Sequence, residues 1–225
     1  YASSPWGVDD RRFYEEIQTK VKRLESEGQP WMLTALTSGT HHPYIVPDDV
    51  AAQDPSLETA FRYSDQYLVR LIKQLKTSGI LDTTVVIITS DEAAGLPDSM
   101  ADTSMEDNRL FTLVLTPGRD QHRVSEVFGQ VDVRLSIHDF LGLTQGDAIG
   151  RSLFRSYPSQ RELVAGNVYL DRIYMKTSKG QDLTCDTSFS DCLLSSGNNA
   201  EQSEQKLRAF VRLSDVSSLS DTRTR

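Results

Sequence analysis

Cysteine is scarce: two residues in 225, Cys185 and Cys192. Thiolate zinc sites place paired cysteines two to four residues apart, with further ligands nearby. No such set is present. The spacing favours a local disulfide closing a small loop, which implies an oxidising compartment. Two free structural thiols are the alternative. Positive charge is also in deficit, with 24 Lys and Arg against 32 Asp and Glu, a net charge of −8. That argues against a nucleic-acid partner, because phosphate-backbone binding needs clustered Lys and Arg. Long apolar runs are missing too. None approaches the ~20 residues needed to span a bilayer, and no signal peptide is evident. The chain starts at Tyr1 rather than Met. We therefore expect a processed chain or a fragment, with any membrane segment cut away upstream.

What remains is the composition of a soluble globular protein. Hydrophobic residues make up 38%, charged residues 25%, and the mean hydropathy is −0.41. The length suits one large domain or most of one. Two apolar runs end in chemically capable residues. Trp31 to Leu36 is followed by Thr40-His41-His42-Pro43-Tyr44, and Val85 to Ile88 by Thr89-Ser90-Asp91-Glu92. Each reads as a buried strand, and in open α/β sheets ligands bind beyond the carboxyl ends of strands.

Helices and strands alternate as far as residue 141. The first helix spans about Asp9 to Glu27, capped by Asp9 or Asp10 and ended by Gly28. Phe13, Ile17, Val21 and Leu24 form its apolar face. A strand is expected over Trp31 to Thr37. Asp54-Pro55 opens a second helix, Ser56 to Ser78, with Phe61, Leu68, Leu71, Ile72 and Leu75 on one face. The β-branched run Thr84 to Thr89 predicts a strand buried on both faces. The polar stretch Ala93 to Arg109 reads as a loop over the site. Leu110 to Leu115 is a third strand and Asp132 to Leu141 a third helix. Beyond, Asn167 to Thr177 and Leu183 to Cys185 flank Lys179-Gly180 as a hairpin. Ser195 to Asn199 is a linker, Ala200 to Ser214 a short amphipathic helix, and the last ten residues a disordered tail. The alternation indicates an α/β architecture. Three core strands are too few for a doubly wound sheet, so the others must come from elsewhere.

The order of these motifs resembles the C-terminal half of sulfatase-like proteins of the alkaline phosphatase superfamily, in the lipoteichoic acid synthase and phosphoglycerol transferase branch. Trp6-Gly7-Val8-Asp9-Asp10 with Phe13 looks like that branch's entry to a helix. Trp31 to Tyr44 looks like its strand ending in "H-x-P-(F/Y)". Arg62-Tyr63-Ser64-Asp65 and Leu81-Asp82-Thr83-Thr84 match the long helix and the entry to the next strand. Thr89-Ser90-Asp91 looks like the metal strand. Val131-Asp132-Val133, Leu141-Gly142-Leu143 and Gly150-Arg151-Ser152-Leu153 look like the helix and segment that follow. The resemblance covers about residues 6 to 155, and more loosely the hairpin through Cys192.

It implies a partial doubly wound mixed sheet with flanking helices, the C-terminal half of an alkaline-phosphatase-like fold. A C-terminal β-hairpin and short helix are added to it. Residues 1–155 would be the α/β part, 156–194 the hairpin extension, and 195–225 the linker, helix and tail. It also implies metal-dependent transfer or hydrolysis of phosphate or sulfate esters. Here His41 would contact the substrate phosphate and Asp91 would ligate a metal. Glu92 stands where the family usually has His, either as a substitute ligand or as the mark of a lost site. An all-oxygen set favours Mn, Mg or Ca over Zn. Arg134-Leu135-Ser136 also departs from the usual x-Pro-Thr. The nucleophile would lie upstream, in an N-terminal half serving as partner. The substrate would be a phosphate- or sulfate-bearing glycan or lipid head group. The place of action would be the periplasm or the outer face of a bacterial envelope. The competing reading is a catalytically inactive binding or regulatory domain. His42, Tyr44, His122, His138 and Arg134 read as loop, packing or surface residues.

Overall fold

A computed structural model describes residues 2–50, 55–91, 109–118, 123–124, 126–143, 150–158, 161–167, 172–177, 179–195 and 200–221. The chain divides into two compact units. One comprises Tyr1–Ile87 with Val114–Asp120, the other Ile88–Leu113 with Gln121–Arg225.

The first unit opens with a minimal hairpin, β1 (Ser3–Ser4) and β2 (Gly7–Val8), turning at Pro5-Trp6. It runs into α1 (Asp10–Ser26). Asp9 is the N-cap, its side chain accepting from the Arg11 and Arg12 N–H groups, which have no partner within the helix. Gly28, at φ 63°, follows the helix in the left-handed conformation that favours glycine. The second helix, α2 (Leu57–Thr77), is capped by the Ser56 hydroxyl on the Thr59 N–H. The helices pack through Tyr14 and Val21 against Leu71, Leu75 and the following Ile80. Trp31, Leu33 and Tyr67 close the cluster. A side chain of this size stabilises the fold by about 1.5–3 kcal/mol when fully buried.

Three expectations are corrected along this stretch of the chain. Phe61 does not belong to the core face of α2; it is exposed, and Ala60 and Tyr63 point inward instead. The rest of the predicted face holds, with Leu71 and Leu75 buried and Leu68 packed against them. Trp31 to Thr37 joins no ladder. Alternate residues Trp31 and Leu33 still reach the core, while Met32 (70%) and Leu36 (74%) face outward. The alternation of an extended chain holds from Trp31 to Thr34 and is lost at the exposed Ala35, and the segment has no strand neighbour among the described residues. Third, β3 (Val86–Thr89) is half-buried rather than enclosed on both faces. Its one partner among the described residues is β4 (Thr112–Leu115).

The second unit contains α3 (Val131–Phe140) and an antiparallel meander of β5 (Leu163–Asn167), β6 (Arg172–Lys176), β7 (Asp182–Asp186) and β8 (Cys192–Leu194). The expected hairpin is the β6–β7 pair, with Gly180 in its turn at φ 78°. Cys185 and Cys192 face each other across β7 and β8 and form the disulfide. Helix α4 (Ala200–Asp221) lays the fully buried Leu207 against Met175, Leu183 and Cys185. It continues past the expected end at Ser214. The expected loop over the site, Ala93 to Arg109, and the expected linker, Ser195 to Asn199, lie outside the described residues except for Arg109 and Ser195.

Candidate active site

His41 lies in the first unit, on a turn that begins at Ser38. The His41 N–H donates to the Ser38 carbonyl (3.1 Å), and the Ile45 N–H to the Gly39 carbonyl (3.4 Å). The imidazole is exposed. Its Nδ1 lies 2.6 Å from the His42 carbonyl oxygen. A carbonyl only accepts, so Nδ1 carries a proton and Nε2 is left for a ligand. The Trp6 indole lies against the ring at 4.5 Å between centroids, tilted by 38°. His42 is an exposed turn residue, edge-on to Tyr44 at 5.5 Å. Tyr44 packs on the small cluster of Val46, Ala60 and Tyr63, as expected of a packing residue.

Beneath this turn sit two buried carboxylates whose importance the sequence reading missed beyond their capping role. Asp9 is saturated. Besides capping α1, it accepts from the Ala2 N–H (2.8 Å) and the Tyr63 hydroxyl (2.6 Å). Burial, with Asp9 beside it, drives the Tyr63 phenol well above its usual range. Asp10 is the opposite case. Its carboxylate oxygens are buried with no hydrogen bond of good geometry. Burial raises its pKa, opposed by the neighbouring Ser64 hydroxyl and Gly39 N–H.

Asp91 lies in the second unit, just beyond β3. It was expected at a buried strand end, but it is exposed. The backbone there is held by Gln130, whose amide nitrogen donates to the carbonyls of Ser90 (2.5 Å) and Asp91 (2.6 Å). Gln130 escaped the sequence reading, because a glutamine before a helix carries no signal of a contact forty residues away. Glu92 lies outside the described residues. Among the described residues no three His, Cys, Asp or Glu side chains gather as a metal site.

The segment 150–155 is strapped to α3. Buried Asp132 accepts from the Gly129 N–H (2.7 Å) and the Arg151 N–H (2.6 Å), and pairs with the Arg161 guanidinium. Ser136 accepts from the Leu153 N–H (2.8 Å). Asp139 pairs with Arg155, which, aided by Ser152, lowers its pKa to about 2. Arg134 is exposed and His138 half-buried, in keeping with surface and packing roles.

This succession of a tryptophan-led helix entry, a histidine turn and an aspartate strand end falls inside a family match. The sulfatase family model matches residues 1–143, and the chain belongs to that family. Among its relatives is phosphoglycerol transferase I of Xanthomonas euvesicatoria pv. vesicatoria. The two are 32% identical over 52% of this chain and 18% of that protein. The lipoteichoic acid synthase-like protein YvgJ of Bacillus subtilis is 25% identical over 64% of this chain and 27% of its own length. The chain thus spans well under half of either relative. A solved structure from Vibrio parahaemolyticus, described as a protein in the alkaline phosphatase superfamily, superposes with a TM-score of 0.72. It covers 92% of this chain and 54% of that one, at 18% identity. The fold class is therefore alkaline-phosphatase-like α/β, and its small separate sheets are consistent with part of such a fold.

Proposed function

We propose that this chain supplies the C-terminal part of an enzyme that transfers or hydrolyses phosphate or sulfate esters, acting on glycan or lipid-linked head groups at the outer side of a bacterial membrane. The observation that carries the reading is His41. It is an exposed imidazole in the family's histidine turn, with Nδ1 committed to a carbonyl and Nε2 left for an anionic oxygen. In its protonated form Nε2–H donates to that oxygen, a charge-assisted bond shorter and stronger than a neutral one.

The described residues do not form a metal set by themselves. Asp91 offers one carboxylate at an exposed strand end, and Glu92 would add a second oxygen ligand. The remaining ligands and the nucleophile would come from the N-terminal half of the same fold, the partner in this reading. A bound divalent cation would lower the nucleophile's pKa and neutralise charge on the transferring group, and oxygen ligands suit Mn, Mg or Ca. Gln130 would fix the backbone from which Asp91 projects. Met32 and Leu36, on an extended segment without a ladder partner, fit the place where that other half would pack.

The test is a transfer and hydrolysis assay on the protein joined to its upstream half. It uses a glycerophosphate-bearing lipid and a sulfate ester, with Mn, Mg, Ca or chelator. We expect turnover that needs a divalent ion and falls at least 100-fold in His41→Ala and in Asp91→Ala. Glu92 in the histidine position favours a second reading, a non-catalytic binding domain. Metal-independent substrate binding without turnover, unchanged in Asp91→Ala, would establish that reading instead.

A further inference from the structure

Three contacts in the first unit converge on the histidine turn from one stretch of chain. The Trp6 indole lies against the His41 ring at 4.5 Å, although Trp6 as a residue is 60% exposed. A Cβ at Gly7, whose φ is 149°, would fall 2.8 Å from the Ser38 hydroxyl oxygen. A Cβ at Gly39 would fall 2.6 Å from each Asp10 carboxylate oxygen. Real Cβ atoms do not approach so closely, so glycine is required at 39 for the turn to sit on the carboxylate. Asp10 is 1% exposed, and a carboxylate without well-formed hydrogen bonds in such a place is costly. An exposed tryptophan lying on an exposed histidine adds little to a core. Both features make sense if the geometry of the turn matters.

We propose that Trp6 and Asp10 are positioning residues for His41, the indole setting the plane of the imidazole and the carboxylate seating the turn that carries it. The Asp10 oxygens face the Gly39 backbone, two residues before His41, so any shift of the carboxylate moves the root of the turn. The indole covers one face of the imidazole and leaves its edge open. The ring is then constrained in rotation about χ2 without losing access at Nε2. Preorganisation of this kind matters for catalysis, because misplacing a contact group by about 1 Å can cost ~100-fold in rate. The role in catalysis rests on the reading of His41 given above, whereas the role in holding the ring does not.

The experiment reads the His41 ring directly, by carbon–proton NMR of the imidazoles in the whole chain, with His41 assigned through His41→Gln. In the unsubstituted protein the His41 ring protons should be displaced by the indole ring current. Trp6→Ala should abolish that displacement, and Trp6→Phe should restore part of it, both with little change in melting temperature. Gly39→Ala should move the His41 signals without touching Trp6. Asp10→Asn, which keeps one carbonyl acceptor for the Gly39 N–H, should leave them nearly in place. Unchanged His41 signals in both Trp6→Ala and Gly39→Ala would overturn the proposal, even if Asp10→Ala fails to fold. In the assembled enzyme, Trp6→Ala should lower kcat about 100-fold with a smaller change in KM. If His41→Ala leaves activity intact while Trp6→Ala still erases the ring-current displacement, the functional reading fails and the positioning stands. If His41→Ala is inactive and the signals ignore Trp6, the reverse holds.

Discussion

Replacing Asp9 with alanine should cost about 3 kcal/mol, a large share of the stability of a domain this size. The figure comes from two separable losses. The first is the helix cap. The Asp9 side chain accepts from the N–H groups of Arg11 (3.1 Å) and Arg12 (3.3 Å), and removing such a cap costs ~1 kcal/mol. The second is the hydroxyl of Tyr63, which donates to Asp9 at 2.6 Å across fifty-four residues of sequence. Tyr63 is buried, so the orphaned donor has no water to turn to. A buried group left unsatisfied costs about 1–3 kcal/mol. The bond from the Ala2 N–H (2.8 Å) adds little, because it ties down only the chain's start.

The two losses can be told apart. Tyr63→Phe removes the hydroxyl together with its need for a partner, so Asp9→Ala on that background should cost about 1 kcal/mol, the cap alone. Asp9→Asn keeps a capping oxygen and should fall between. Both tryptophans, Trp6 and Trp31, lie in the first unit. Urea unfolding followed by tryptophan fluorescence therefore reports this unit without the second. A cost below about 1 kcal/mol for Asp9→Ala, or an equal cost with and without the Tyr63 hydroxyl, would refute the reasoning.

Three further outcomes follow from the second unit. Cysteines 185 and 192 are seven residues apart, so reducing the bond, or Cys185→Ser with Cys192→Ser, should cost about 2.5 kcal/mol from loop closure alone, read from far-UV circular dichroism in urea. Asp132→Ala should cost about 3–5 kcal/mol, because it strands the Arg161 guanidinium inside; Asp132→Ala with Arg161→Met should recover part of that in the same assay. Arg155 holds the Asp139 carboxyl at about 2, below its ordinary 3.8. The folded state then binds this proton less readily than the unfolded one, so the contribution is full above pH 3.8 and is lost as pH falls through about 2. Arg155→Gln should flatten that acid limb of the melting temperature, and an unchanged limb would show that the pair is screened by solvent.

How much of this was legible in the chain depends on the range over which each residue acts. Helix α1 was readable because Asp9, the apolar spacing and Gly28 are all local, and its observed ends differ from the expected ones by one residue. The β6–β7 hairpin was readable for the same reason, through Lys179-Gly180 and the flanking strands. The run Trp31 to Leu36 was misread for the opposite reason. Its alternation is that of a strand, but a strand exists only beside another strand, and its own sequence cannot supply the neighbour. The histidine turn shows both sides at once. His41 stood out by residue type and by its place after an apolar run. Its supports did not, since Trp6 looked like part of a motif, Asp10 like a spare cap, and Gly39 carried no signal of its own. Only the fold brings residues 6, 10 and 39 to one turn, and there a buried carboxylate stands against the one residue with no side chain to oppose it. A substitution at Gly39 is therefore the most economical probe of the site: it alters no charge, removes no ring and keeps the His41 side chain, so a loss of activity at unchanged melting temperature passes through the position of the turn.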